Sequence, residues 1–231
     1  MSLNIQKQVC LHIDVNYFTI IIFSFLWFCA KDLRRTVLKY PRLFTLSLRK
    51  IKSVVGFLRY ELGLEYENMK RVLFCSPQIL GLHPQYNIKT KMDFLRGSLD
   101  LTTEELEKLV TCMPTLFQLS IEKNMKPKLE YLKNCFQDEG KLKQVLIAFP
   151  VLLGYSFEKR LQPRMQRLLD IGENPGKIVT AIVLTEKKFD EWIQDRTIAM
   201  EYKRRIMEEK RKEDEMNYIA KRKARIVKWT R

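Results

Sequence analysis

Pro114-Thr-Leu116-Phe117-Gln-Leu119-Ser120 is the stretch on which the fold turns, because the chain writes it three more times. The other copies are Pro41-Arg-Leu43-Phe44-Thr-Leu46-Ser47, Pro77-Gln-Ile79-Leu80-Gly-Leu82-His83 and Pro150-Val-Leu152-Leu153-Gly-Tyr155-Ser156. Successive prolines lie 36, 37 and 36 residues apart. A fixed period of this length marks an array of small repeated units.

A second register follows each proline segment. Ile51-Lys-Ser-Val-Val-Gly-Phe-Leu58, Ile88-Lys-Thr-Lys-Met-Asp-Phe-Leu95, Met125-Lys-Pro-Lys-Leu-Glu-Tyr-Leu132 and Leu161-Gln-Pro-Arg-Met-Gln-Arg-Leu168 align with one gap, in the first copy. Columns one, five and eight are apolar throughout, and steps of four and three describe one face of an amphipathic helix. Pro127 and Pro163 suit the first turn of that helix, where no N–H is needed. A second helix fills the rest of each unit: Leu64 to Cys75, Thr102 to Cys112 and Lys141 to Phe149. Thr102 with Glu105 forms a capping box. Each second helix should stop at its repeat proline, because the preceding residue is driven out of the α region. Cys75 and Cys112 occupy equivalent places and are expected as small buried hydrophobes. One such hairpin cannot bury its own stripe, so the units must stack.

Composition agrees with this and narrows the function. The 231 residues are 46% hydrophobic and 30% charged with only 8 Gly and 8 Pro, which excludes a collagen-like or Pro/Gly-rich disordered chain. Lys and Arg number 42 against 27 Asp and Glu, a net charge of +15, and such an excess calls for a polyanionic partner, an acidic membrane surface or a solvated tail. The five cysteines form no CxxC pair and there are two histidines, His12 and His83, so neither metal nor cofactor is expected. A reducing compartment suits such thiols. No Gly-rich phosphate loop, HExxH or GxSxG occurs, and Glu104 to Glu107 beside Lys108 read as a solvated helix face. The chain reads as a binding protein, not an enzyme.

The proline segments, the Lys126-Pro-Lys-Leu-Glu-Tyr-Leu132 helix and the Leu101-Thr-Thr-Glu-Glu-Leu106 helix start resemble the mitochondrial transcription termination factor (mTERF) family, over about Lys31 to Ile193. Leu184-Thr-Glu-Lys-Lys-Phe189-Asp-Glu-Trp192-Ile193 resembles that family's closing segment. The resemblance implies an all-α, right-handed superhelical solenoid, here of about four full repeats plus a closing helix. Its concave face would be basic and hold nucleic acid. It further implies a monomeric regulator of organellar gene expression in a mitochondrion or chloroplast, acting in transcription termination or other transcriptional control on duplex DNA or structured RNA. The alternatives are a protein-binding helical scaffold, or an RNA-binding factor in organellar splicing or ribosome assembly.

Basic residues recur at fixed places in the repeats. Column two of the first helix holds Lys52, Lys89 and Lys126, and column four holds Lys91, Lys128 and Arg164, with Val54 in the first copy. Lys50, Lys123 and Lys159 each lie nine residues after a repeat proline, with Arg160 alongside the last. Stacked units set such residues in rows that can track phosphates. Tyr86, Phe94, Tyr131 and Tyr155 are of a type that stacks on bases, but packing is the preferred reading, since Phe94 and Tyr131 share column seven with Phe57 next to the apolar column eight.

Three segments are expected: an apolar leader over residues 1–30, the repeat domain over 31–193 and a basic C-terminal helix or tail over 194–231. Val15 to Ala30 carries no charge, which is marginal for a membrane span. Membrane contact by residues 15–30 is the lesser reading. The abrupt change at Lys31 reads as a mispredicted exon joined to a chain lacking upstream repeats. Residues 196–231 hold 13 Lys or Arg against 6 acids, and Glu201/Arg205 and Glu208/Lys212 have the i,i+4 spacing of an exposed helix.

Overall fold

The structure is a computed structural model that describes residues 30–229. The expectations for the apolar leader and for membrane contact by residues 15–30 fall outside the described residues. Those residues are all-α, with ten helices and no strand. The helices are α1 (Ala30–Lys39), α2 (Leu48–Tyr60), α3 (Tyr66–Cys75), α4 (Thr90–Leu99), α5 (Thr103–Cys112), α6 (Lys126–Phe136), α7 (Glu139–Ala148), α8 (Gln162–Asp170), α9 (Ile178–Val183) and α10 (Glu186–Trp229). The described residues divide into two compact units, the first ending at Phe157 and the second beginning at Glu158.

In the first unit every repeat proline opens a tight 3-10 turn, over Pro41–Thr45, Pro77–Gly81, Pro114–Gln118 and Pro150–Gly154. The proline ring clashes with a helical residue before it. Tyr40, Ser76, Met113 and Phe149 accordingly share one extended conformation, with φ from −136° to −143° and ψ from 66° to 77°. α1, α3, α5 and α7 all end one residue earlier, as the sequence predicts. The motif's last position then caps the next helix. The side chains of Ser47, His83 and Ser120 accept from the amides of Lys50, Tyr86 and Lys123 at 3.3, 3.5 and 3.2 Å.

The gap in the alignment has a structural cause. α2 starts as a regular helix, with the Ile51 amide donating to Ser47 O at 3.2 Å. The next two copies enter through wide π turns, Pro84–Lys89 and Ile121–Met125. There the amides of Ile88 and Met125 reach back five residues to His83 O and Ser120 O. The wide turn takes up the extra residue, so column one faces inward in each copy. Ile51, Ile88 and Met125 are buried, as are Leu58, Leu95 and Leu132 in column eight. Two of these first helices end in a left-handed residue that is not glycine, Asp100 (φ 49°) after α4 and Gln137 (φ 55°) after α6.

Neighbouring units interlock in two places. The second helices pack in series, α3 on α5 and α5 on α7. Asn68 Nδ2 donates to Glu107 Oε1 at 3.0 Å, and Lys143 Nζ lies 2.7 Å from Glu105 Oε2. The proline turns also meet, and there the side chains match in size. A Cβ on Gly81 would collide with the Tyr40 hydroxyl, and one on Gly154 would sit 2.8 Å from Met113 Cε. Between those two contacts the residue before the proline is the small Ser76, and the facing fifth position is Gln118, whose Nε2 donates to Ser76 Oγ at 2.6 Å.

Cys75 and Cys112 correct the expectation of burial, because both are exposed. The buried stripes of α3 and α5 continue onto the next residues, Ser76 and Met113, which leaves each thiol on the solvent edge.

In the second unit α8 follows a π turn, Phe157–Leu161, and α10 runs unbroken from Glu186 through the 193/194 boundary expected from sequence. Phe189 and Ile193 of α10 are buried, and the guanidinium groups of Arg164 and Arg167 lie 4.6 and 4.7 Å from the Phe189 ring centre. From Glu201 to Arg222 every residue is exposed.

Thr102 and Glu105 form the capping box that the sequence predicts, with Thr102 Oγ1 accepting from Glu105 N at 3.2 Å and Glu105 Oε2 accepting from Thr102 N at 2.9 Å. The hydrogen bond from Lys143, then that from the Thr102 amide, hold the Glu105 carboxyl below its ordinary value of 4.5. A depressed carboxylate contributes its stability above the ordinary value and loses it as pH falls through the folded-state value. Glu105→Ala should therefore destabilise the protein at pH 7, and urea unfolding at pH 7 and pH 3 should show that penalty shrinking in acid. Thr102→Ala, which removes only the hydroxyl acceptor, should cost about 1 kcal/mol at both pH values.

Candidate nucleic-acid interface

The expected cations are of two kinds. Column four belongs to the buried arc of each first helix, since it lies three residues after column one and four before column eight. Val54 is buried there in the first copy. In the next copy Lys91 is half-buried and donates Nζ to Phe117 O at 2.5 Å. Lys128 is 1% exposed and donates to Leu153 O at 2.5 Å and to Asn124 Oδ1 at 2.8 Å. Phe117 and Leu153 are the same residue of consecutive proline turns. Each lysine thus reaches forward one repeat and satisfies a carbonyl at the end of a 3-10 turn. Burial pushes the ammonium pKa of both Lys91 and Lys128 down.

Arg164 fills column four in the second unit, 3% exposed. Its Nη1 donates to Ala181 O at 2.6 Å and Leu184 O at 2.8 Å, and its Nη2 to Glu186 Oε2 at 2.7 Å. Arg160 joins it on Leu184 O at 2.7 Å. The phosphate row expected of column four is therefore corrected at Lys128 and Arg164. Both are sealed from solvent, and with Lys91 they hold one element to the next.

Column two behaves differently. It is 100° round the helix from column one, outside the buried arc. Lys52, Lys89 and Lys126 are all exposed. Lys126 lies 3.5 Å from Glu122 in an open i,i+4 pair, while Lys52 and Lys89 have no charged partner among the described residues. Asp93 and Glu130 stand four residues beyond Lys89 and Lys126 and share their flank, and Gly56 takes that place beyond Lys52.

The row counted nine residues after the proline does not survive as one row. Lys50 directly precedes column one, whereas the π turn sets Lys123 two residues ahead of it. Lys50 instead lines a cleft of about 530 Å³ with Arg49, Ser53, Tyr60 and His83. Lys123 is exposed on its π turn, and Lys159 is exposed in the second unit. Among the aromatics read as packing residues, Phe94 and Tyr131 are half-buried, and Tyr131 meets Phe157 edge-on at 5.4 Å. Tyr86 stands exposed beside His83, 4.6 Å between ring centres.

The sequence model of the mTERF family matches residues 1–190. The chain belongs to the mTERF family. Members are helical-repeat proteins that bind nucleic acid and regulate organellar gene expression. No curated protein sequence matches the chain. Among the described residues, no helix is long and apolar enough to cross a membrane.

The division of labour between the two lysine columns is open to direct test. Lys128→Met leaves Leu153 O without its buried donor and should lower stability by about 1–3 kcal/mol. Chemical denaturation should report that loss, while the salt dependence of nucleic-acid binding by the folded variant stays at the wild-type value.

Proposed function

We propose that this mTERF protein binds nucleic acid through lysines of its repeats and thereby controls transcription in an organelle, by termination or another step, without catalysis of its own. The observation that carries the proposal is the exposure of Lys52, Lys89 and Lys126 at one position of three consecutive repeats. Lys123 on its π turn and Lys50 on the cleft add charge to the same unit. The second unit carries an exposed cation of its own, Lys159. Cations at the repeat interval neutralise phosphates without reading bases, so affinity is electrostatic and falls steeply with salt. The ligand is duplex DNA or structured RNA, and the site is mitochondrial or plastidic.

Replacing Lys52, Lys89 and Lys126 together by Gln should weaken binding to a 30-base-pair duplex and flatten the plot of log affinity against log salt by about 2–3, at about 0.9 per lost contact. Fluorescence anisotropy between 50 and 300 mM salt measures both. An unchanged slope, or a salt-insensitive complex with a protein in place of nucleic acid, overturns the proposal.

A further inference from the structure

The exposed stretch of α10 carries its own order. Met200-Glu-Tyr-Lys203-Arg204-Arg205-Ile206 is followed directly by Met207-Glu-Glu-Lys210-Arg211-Lys212-Glu213, and the basic group returns as Lys221-Arg222. The steps are seven and then eleven residues, both close to whole numbers of α-helical turns. Lys203, Lys210 and Lys221 therefore align within about 20° of one another, and Arg204, Arg211 and Arg222 form a parallel line about 100° away. All six are exposed.

Acidic residues are sorted onto other faces. Glu201, Glu208 and Glu215 repeat at the same seven-residue step and fall beyond the arginine line. Arg205 and Lys212 lie four residues after Glu201 and Glu208, the spacing at which opposite charges neutralise each other on a helix; Arg204, Lys210 and Arg211 at the edge of the stripe also have acids three or four residues away, whereas Lys203, Lys221 and Arg222 have none. Asp214 is the one acid inside the stripe. The apolar positions Ile198, Tyr202 and Met216 lie on the opposite side, with Ile206 at the edge beside the lysine line, and Glu209 and Glu213 interrupt them, so no continuous coiled-coil seam competes for the helix. Tyr218 and Met207 stand exposed within the basic stripe itself.

We infer that this stripe, Lys203, Arg204, Lys210, Arg211, Lys221 and Arg222, is a second binding site for a phosphodiester backbone, separate from the repeats. A helix used only for solubility gains nothing from placing cations on one face and acids on another. A polyanion does, because the stripe presents three pairs of cations over about 28 Å at 1.5 Å per residue. An α-helix about 10–12 Å across also matches the roughly 12 Å width of the B-DNA major groove. The inference shares its ligand class with the proposed function but rests on different residues, so the two can fail separately.

The test uses the full chain with all six residues changed to Gln, which keeps helix propensity. A control carries Arg205→Gln and Lys212→Gln. Circular dichroism confirms that each remains helical. Binding is titrated against salt with a duplex DNA, a single-stranded RNA and vesicles containing anionic lipid. The six-residue variant should lose about five from the salt slope on duplex DNA and about four on single-stranded RNA, at about 0.9 and 0.7 per contact. The control should keep the wild-type slope, and the Lys52/Lys89/Lys126 variant should retain the α10 share. An unchanged slope on both nucleic acids, an equal loss in the control, or a loss of vesicle binding alone overturns the inference.

Discussion

The clash between a proline ring and the residue before it governs the architecture of the first unit. It ends α1, α3, α5 and α7 at the same point of each repeat and gives Tyr40, Ser76, Met113 and Phe149 one backbone conformation. From that point the chain turns tightly, the seventh motif residue caps the next helix, and the apolar columns of that helix face inward. Proline is suited to the place because it tolerates the start of a turn, where an N–H has no partner to lose.

The lysines divide according to angle. A cation 60° from column one on the buried arc has no water to stay in, so it needs acceptors, and carbonyls of the following proline turn supply them. The long aliphatic stem of Lys128 packs in the interior while its ammonium is satisfied by Leu153 O and Asn124 Oδ1. Arg164 meets the same need with a planar group that reaches several acceptors at once. A cation 100° from column one stays in solvent and keeps its charge available to a ligand. Adjacent columns of one helix thus serve cohesion and binding.

Much of this was legible in the sequence. The proline period, the apolar columns, the capping box of Thr102 and Glu105 and the helix ends follow from local sterics and periodicity, which act within a few residues. The sorting of the cations was half legible. Val54 in column four signalled a buried position, but the charge of Lys91, Lys128 and Arg164 outweighed it because their carbonyl partners lie 17 to 26 residues away. The π turns were visible only as a one-residue gap, and that gap misaligned Lys50 with Lys123. Cys75 and Cys112 misled because a small apolar residue near a helix end fits either side of the stripe, and the neighbours Ser76 and Met113 decided which.

The fit between successive proline turns also bears on how such a chain can change over time. Tyr40 needs the hollow left by Gly81, Met113 needs Gly154, and Ser76 is bridged by Gln118. The copies look interchangeable in the motif but are keyed to their neighbours. Duplicating, deleting or reordering one hairpin would seat a bulky ring on a glutamine or leave a hollow beside a serine. Lengthening or shortening this protein during descent therefore calls for paired substitutions at each new seam.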